Sequence, residues 1–75
     1  MRPDDKAEIA RRFMAVRRRA FLTQRWLAEL IGLSRQAVSE IEHQQVMPHH
    51  TTWDRFAALE AKHKLARIEL PVHWQ

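Results

Sequence analysis

The chain contains a single glycine, Gly32, and it falls between two short segments of matched amphipathic spacing. Before it, Leu27, Ala28 and Ile31 make one apolar helical face, opened by Thr23, a good N-cap. After it comes Leu33, then Ser34 as a second N-cap, then Val38 and Ile41. Glycine enters the left-handed conformation that ends a helix at little cost. A lone glycine here therefore predicts two short helices joined by a sharp turn, the second ending near His43. Small Ala28 lets them approach, while Leu27, Ile31, Leu33, Val38 and Ile41 point inward. The outer face of the second helix, with Arg35, Gln36, Ser39 and Glu40, is left polar.

The flanks can be read in the same way. Asp5-Lys6-Ala7-Glu8 has the form of a capping box, with Asp5 as N-cap and Glu8 at N3. Ile9, Phe13, Val16 and Ala20 follow on one face and predict a first helix over roughly Asp5 to Arg19. Phe21-Leu22 is a short apolar joint. Residues 44–49 read as a loop, because Pro48 biases Met47 away from helix. Thr51 or Thr52 caps a fourth helix that carries Trp53, Phe56, Ala57 and Leu59 and fades near Lys64. Trp53 and Phe56 are core candidates, and Met14 and Met47 fill gaps.

The last ten residues change period. Ile68, Leu70, Val72 and Trp74 alternate with Arg67, Glu69, Pro71 and His73, which is strand spacing. Pro71 confines such a strand to an edge or an end. The expected organisation is an all-α domain of four to five helices over residues 1–65. Residues 66–75 form a short extended tail, a candidate dimerisation strand.

Composition closes off other classes. In 75 residues, 45% hydrophobic and 29% charged, there is room for one folded domain. One Gly and three Pro argue against a β-sandwich or barrel. With no Cys, there is neither a disulfide framework nor a thiolate metal site. The histidines (His43, His49, His50, His63 and His73) include no pair at i, i+4, so no metal site is expected. They read instead as surface groups near phosphates, gaining charge below pH ~6.5. No phosphate loop or nucleophile elbow is present, and Glu40 and Glu42 point to different faces. Neither enzyme activity nor a cofactor is expected. No apolar run approaches the ~18 residues of a membrane span, and Met1-Arg2-Pro3-Asp4-Asp5 is no signal region. The expected location is cytoplasmic.

Charge is lopsided. Residues 1–25 hold eight basic side chains and three acidic ones, whereas residues 26–75 hold five and six. Arginine dominates the basic end and pairs bidentately with phosphate. Such a field suits either a polyanion partner or a solvated helix face.

Two short helices joined by a glycine turn in a basic domain have the form of a helix-turn-helix. The pattern Leu-Thr-Gln-x-x-Leu-Ala-x-x-Ile-Gly-Leu-Ser-x-x-x-Val-Ser-x-Ile-Glu, from Leu22 to Glu42 and followed by Pro48, resembles the Cro/C1-type (XRE-like) family of regulators. The resemblance covers residues 13–62, about two thirds of the chain. It implies a homodimeric transcriptional repressor on an inverted-repeat operator in double-stranded DNA, such as a small phage or mobile-element autoregulator of the anti-CRISPR-associated kind, in a bacterial or phage-infected cell. Arg35, Gln36, Ser39 and Glu40 would face base edges; Arg suits guanine and Gln suits adenine. Gln24, Arg25, Ser34, Arg18, Arg19, His43, Gln44 and Gln45 would meet phosphates. Gln24 would also brace the recognition helix. Arg17 and Glu42 would form a buried ion pair that fixes orientation.

The departures are local. Trp26 and Leu30 make an apolar stripe on a face the family leaves polar, and His49 stands where a Ser or Asn cap is usual. The tail face of Ile68, Leu70, Val72 and Trp74 needs a partner, and the Trp26/Leu30 stripe needs cover. The tail either packs there or pairs with its symmetry mate. Two rivals remain: an antitoxin-type module whose tail binds a protein partner, and a sequence-blind architectural DNA binder.

Overall fold

A computed structural model describes residues 2–69, with side chains described for residues 2–63. Among them the chain forms four α-helices and no strand. α1 spans Lys6–Ala20 and turns Ile9, Ala10, Phe13 and Val16 inward. Asp5 caps it, accepting the Ala7 N–H at 2.9 Å. The capping box is half made. Glu8 pairs with Arg11 one turn on, a charged partner, instead of reaching back to the Asp5 N–H.

Phe21 stops α1 in the left-handed region, at φ 56°. The Leu22 N–H returns to the Arg17 carbonyl at 2.8 Å, the long bond of a Schellman-type stop. The apolar joint therefore splits. Leu22 packs on the core, while the Phe21 ring stands 94% exposed.

α2 spans Gln24–Ile31 and α3 spans Arg35–Glu42, each opened by its hydroxyl cap. Thr23 Oγ1 accepts from the Trp26 N–H and Ser34 Oγ from the Ala37 N–H, both at 3.1 Å. Gly32 sits at φ 78° between them, and a Cβ there would meet the Arg55 guanidinium. Leu27, Ala28, Ile31, Val38 and Ile41 are buried, as their spacing requires.

α4 spans His50–Glu69 and departs from expectation at both ends. It starts before either threonine, because His49 is the cap. The His49 carbonyl accepts the Trp53 N–H at 2.9 Å, and its Nδ1 accepts the Thr51 N–H at 3.4 Å. It also runs beyond Lys64. Residues 59–69 are rich in Leu, Ala, Lys, Glu and Arg and contain no Gly or Pro, so helix propensity outweighs the period-two pattern. Arg67, Ile68 and Glu69 are thus helical, which corrects the strand expected to begin there, and no break falls at 65–66. Leu70, Val72 and Trp74 lie outside the described residues.

α3 and α4 each pack on α1 and α2 rather than on one another. The core lies between them. The Phe13 and Phe56 rings stack at 4.1 Å, and Trp53 lies 5.2 Å from Phe56.

Phe21 combines left-handed backbone with an unburied ring, so glycine should suit the position better. Phe21→Gly should stabilise the domain by about 1 kcal/mol. Its thermal midpoint, followed by helix ellipticity, should rise by about 4–8 °C. A fall would show that the ring has packing partners.

Candidate nucleic-acid interface

α3 presents its polar face because its apolar face is fully used. Val38 and Ile41 are buried, Arg35 and Gln36 are exposed, and Ser39 and Glu40 are half-buried at the margin. Four residues from three helices fix this face in place. Arg17 of α1 donates to Glu42 at the end of α3 through Nε at 2.7 Å and a terminal nitrogen at 2.8 Å. The Glu42 side chain is only 3% exposed. Bonding to Glu42 raises the Arg17 pKa above its ordinary value, against the opposing effect of burial. Gln24 of α2 donates its amide to Glu42 Oε1 at 3.0 Å. Its amide oxygen accepts from Arg35 at 3.5 Å, a long contact. A hydrogen-bonded chain thus runs from the buried pair to an exposed arginine on α3.

The remaining groups on α3 are also engaged with each other. Gln36 donates to Glu40 at 3.4 Å. His43 Nδ1 lies 2.7 Å from the Ser39 carbonyl. A carbonyl only accepts, so Nδ1 carries the proton and the neutral ring offers Nε2 as an acceptor. The neutral His43 therefore has nothing to donate to a phosphate, and only the imidazolium could do so. The N–H groups of His43, Gln44 and Gln45 return to carbonyls of Ser39, Ile41 and Glu40. At the loop only the exposed side-chain amides of Gln44 and Gln45 remain for a ligand. Ser34 keeps its hydroxyl hydrogen, since its oxygen is the accepting cap atom.

The arginine run does not make one basic face. Successive residues on a helix turn by ~100°, so Arg17, Arg18 and Arg19 diverge. Arg17 goes to Glu42 on the α3 side. Arg19 lines a shallow groove of about 460 Å³ with Glu8, Arg11, Arg12, Ala15 and Glu60, on the α4 side. That turns it towards α4, on a different face of α1 from Arg17. Arg18 and Arg25 are exposed and without an ion-pair partner among the described residues.

Sequence reasoning missed a second pair. Arg12 donates to Glu60 through Nε at 3.0 Å and lies 5.0 Å from the Trp53 ring centre. Bonding to Glu60 raises its pKa, with burial again opposing. The partners are 48 positions apart, so the only signal was the place of Arg12 beside Phe13 at the edge of an apolar face.

Among the described residues, no group of three or more His, Asp or Glu side chains could hold a metal ion, and no helix is long and apolar enough to cross a membrane. Comparison with family models, curated proteins and solved structures finds no match.

The Arg17–Glu42 pair yields an asymmetric expectation. Arg17→Met leaves a buried carboxylate held by Gln24 alone and should destabilise by about 3–5 kcal/mol. Glu42→Leu leaves a guanidinium that water can reach and should destabilise less. The double variant should recover most of the loss, as measured by urea unfolding. Equal and additive losses would show that the pair does not act as a unit.

Proposed function

We propose that this chain is a sequence-specific DNA-binding transcriptional regulator, a homodimeric repressor of the Cro/C1-type helix-turn-helix kind. One observation carries the reading: the exposed polar face of α3 is held by the Arg17–Glu42–Gln24–Arg35 chain at the N-terminus of α2. A reading head needs exposure and fixed orientation together, because base contacts are geometrically exacting.

In this reading α3 enters the major groove. Arg35 and Gln36 meet base edges, Ser39 sits behind them, and Glu40 accepts from a cytosine amino group. Contacts to phosphates fix the register. Thr23 takes the Trp26 N–H, which leaves the Gln24 and Arg25 N–H groups at the start of α2, and a phosphate suits that helix end. Ser34, Arg18 and the side chains of Gln44 and Gln45 add to it. Arg19 lies on the α4 flank and contributes at most through the general field. Two copies with α3 helices ~34 Å apart would occupy an inverted repeat and block polymerase sterically. Among the described residues, the feature that suits an antitoxin-type module is the exposed stripe of α2, and a second copy accounts for that stripe better.

Selection from random duplexes should return two inverted half-sites, preferred over random competitor at ~150 mM salt. Arg35→Ala and Gln36→Ala should each weaken the preferred site by about 1–3 kcal/mol, roughly 5- to 150-fold, and relax the choice of base at one position. Arg18→Ala should weaken all sequences alike and flatten the salt dependence, whereas Arg19→Ala should do so less. If the preferred site is bound equally well by both α3 variants, the reading face is not on α3.

A further inference from the structure

Trp26 and Leu30 stand one turn apart on the outside of α2, 58% and 54% exposed. Arg25 and Glu29 stand one turn apart on the neighbouring face and are exposed as well. Their spacing permits a pair within the helix, yet they form none, and neither has an ion-pair partner among the described residues. Arginine ahead of glutamate at i, i+4 is the weaker order for such a pair. α2 therefore carries an apolar stripe flanked by two opposite, unused charges.

That arrangement is complementary to itself. A two-fold contact sets a surface against its own copy. When two α2 helices lie antiparallel about an axis at the level of Ala28, Trp26 of each copy faces Leu30 of the other. The charged flanks then fall on the same side of the axis. With a rise of 1.5 Å per residue, Arg25 of one copy and Glu29 of the second copy differ by only about 3 Å along the helix. Each arginine meets a carboxylate, twice. A parallel pairing would instead place the two charged flanks on opposite sides of the seam, where no arginine meets a carboxylate of the other copy.

We propose that the outer face of α2 is a self-association surface, and that its occupant is a second copy of this chain in antiparallel register. The proposal rests on the dimer half of the reading above and not on its DNA half. Two Trp–Leu contacts bury on the order of 500 Å², below the roughly 1,200 Å² of stable complexes. The dimer is therefore reversible, with a dissociation constant between about 1 μM and about 1 mM.

Sedimentation equilibrium of the full chain without DNA tests this. From about 0.1 μM to about 1 mM protein, the mean mass should climb from 9.0 kDa towards that of a dimer. Arg25→Glu and Glu29→Arg should each weaken association at least about tenfold, since each variant sets like charges together. An equimolar mixture of the two should associate like the unaltered chain, because opposite charges meet again across the seam, whereas the double swap should recover only part of the association, since glutamate ahead of arginine can also pair within its own helix. Leu30→Lys, at a position exposed in the single chain, should abolish association. Helix ellipticity of each variant verifies that it is folded. Three results overturn the proposal: a mass of 9.0 kDa throughout, a dimer that neither single swap weakens, or a dimer lost only when residues 70–75 are removed, which assigns contact to the tail. Site selection on DNA plays no part in the readout, so failure of the DNA reading would leave a positive result standing.

Discussion

An eight-residue helix does not hold itself together in water. α3 exists because Val38 and Ile41 are buried against a core built by α1, α2 and α4. Full burial of such side chains contributes about 1.5–3 kcal/mol each, less than the ordering of eight residues costs, so α3 also depends on its backbone hydrogen bonds, its cap and its polar ties to α1 and α2. The same constraint defines what is left over. With one face committed to the core, Arg35 and Gln36 have nowhere to go but outward. The polar face proposed to meet a base-pair edge is thus the complement of the apolar face that makes the helix possible.

Apolar burial sets the depth of α3 but leaves its rotation loosely determined, since aliphatic contacts have little directionality. The Arg17–Glu42 pair supplies direction. A bidentate guanidinium–carboxylate contact is planar and tolerates little turning. Buried pairs of this kind add little net stability, so its physical part is to define one arrangement among several apolar packings of similar energy. Gln24 extends that definition from the C-terminal end of α3 back to Arg35 at its beginning. The Arg12–Glu60 pair plays the corresponding part on the other side of α1, tying α4 beside Trp53. α1 therefore carries one paired arginine towards each of the helices that flank it.

The helices were legible where a cap and a periodic apolar face coincide. Asp5, Thr23, Gly32 and Ser34 mark helix ends through local chemistry, which needs no distant partner. Legibility failed where that coincidence was missing. His49 caps α4 through an imidazole nitrogen, and whether a ring can do so depends on its rotation. The alternation expected in the tail begins inside a run of strong helix formers, which fill nine of positions 59–69 and keep Arg67, Ile68 and Glu69 helical. Phe21 and Gln44 both stop helices in left-handed conformation without being glycine, so neither announces itself.

The candidate site divides along the same line. The residues of α3, the caps and the Arg17–Glu42 pairing could be placed on one surface from spacing and resemblance. The divergence of Arg17, Arg18 and Arg19 could also be read from helix geometry, although a count of charges obscures it. The sequence alone determined the helix–glycine–helix unit, because caps, turn and apolar spacing all act within a few residues. Only the tertiary structure decided that Arg12 pairs with Glu60 and that Arg19 belongs to the α4 side. Those outcomes depend on groups up to 48 positions apart, brought within hydrogen-bonding distance by burial of a core that is blind to their identity.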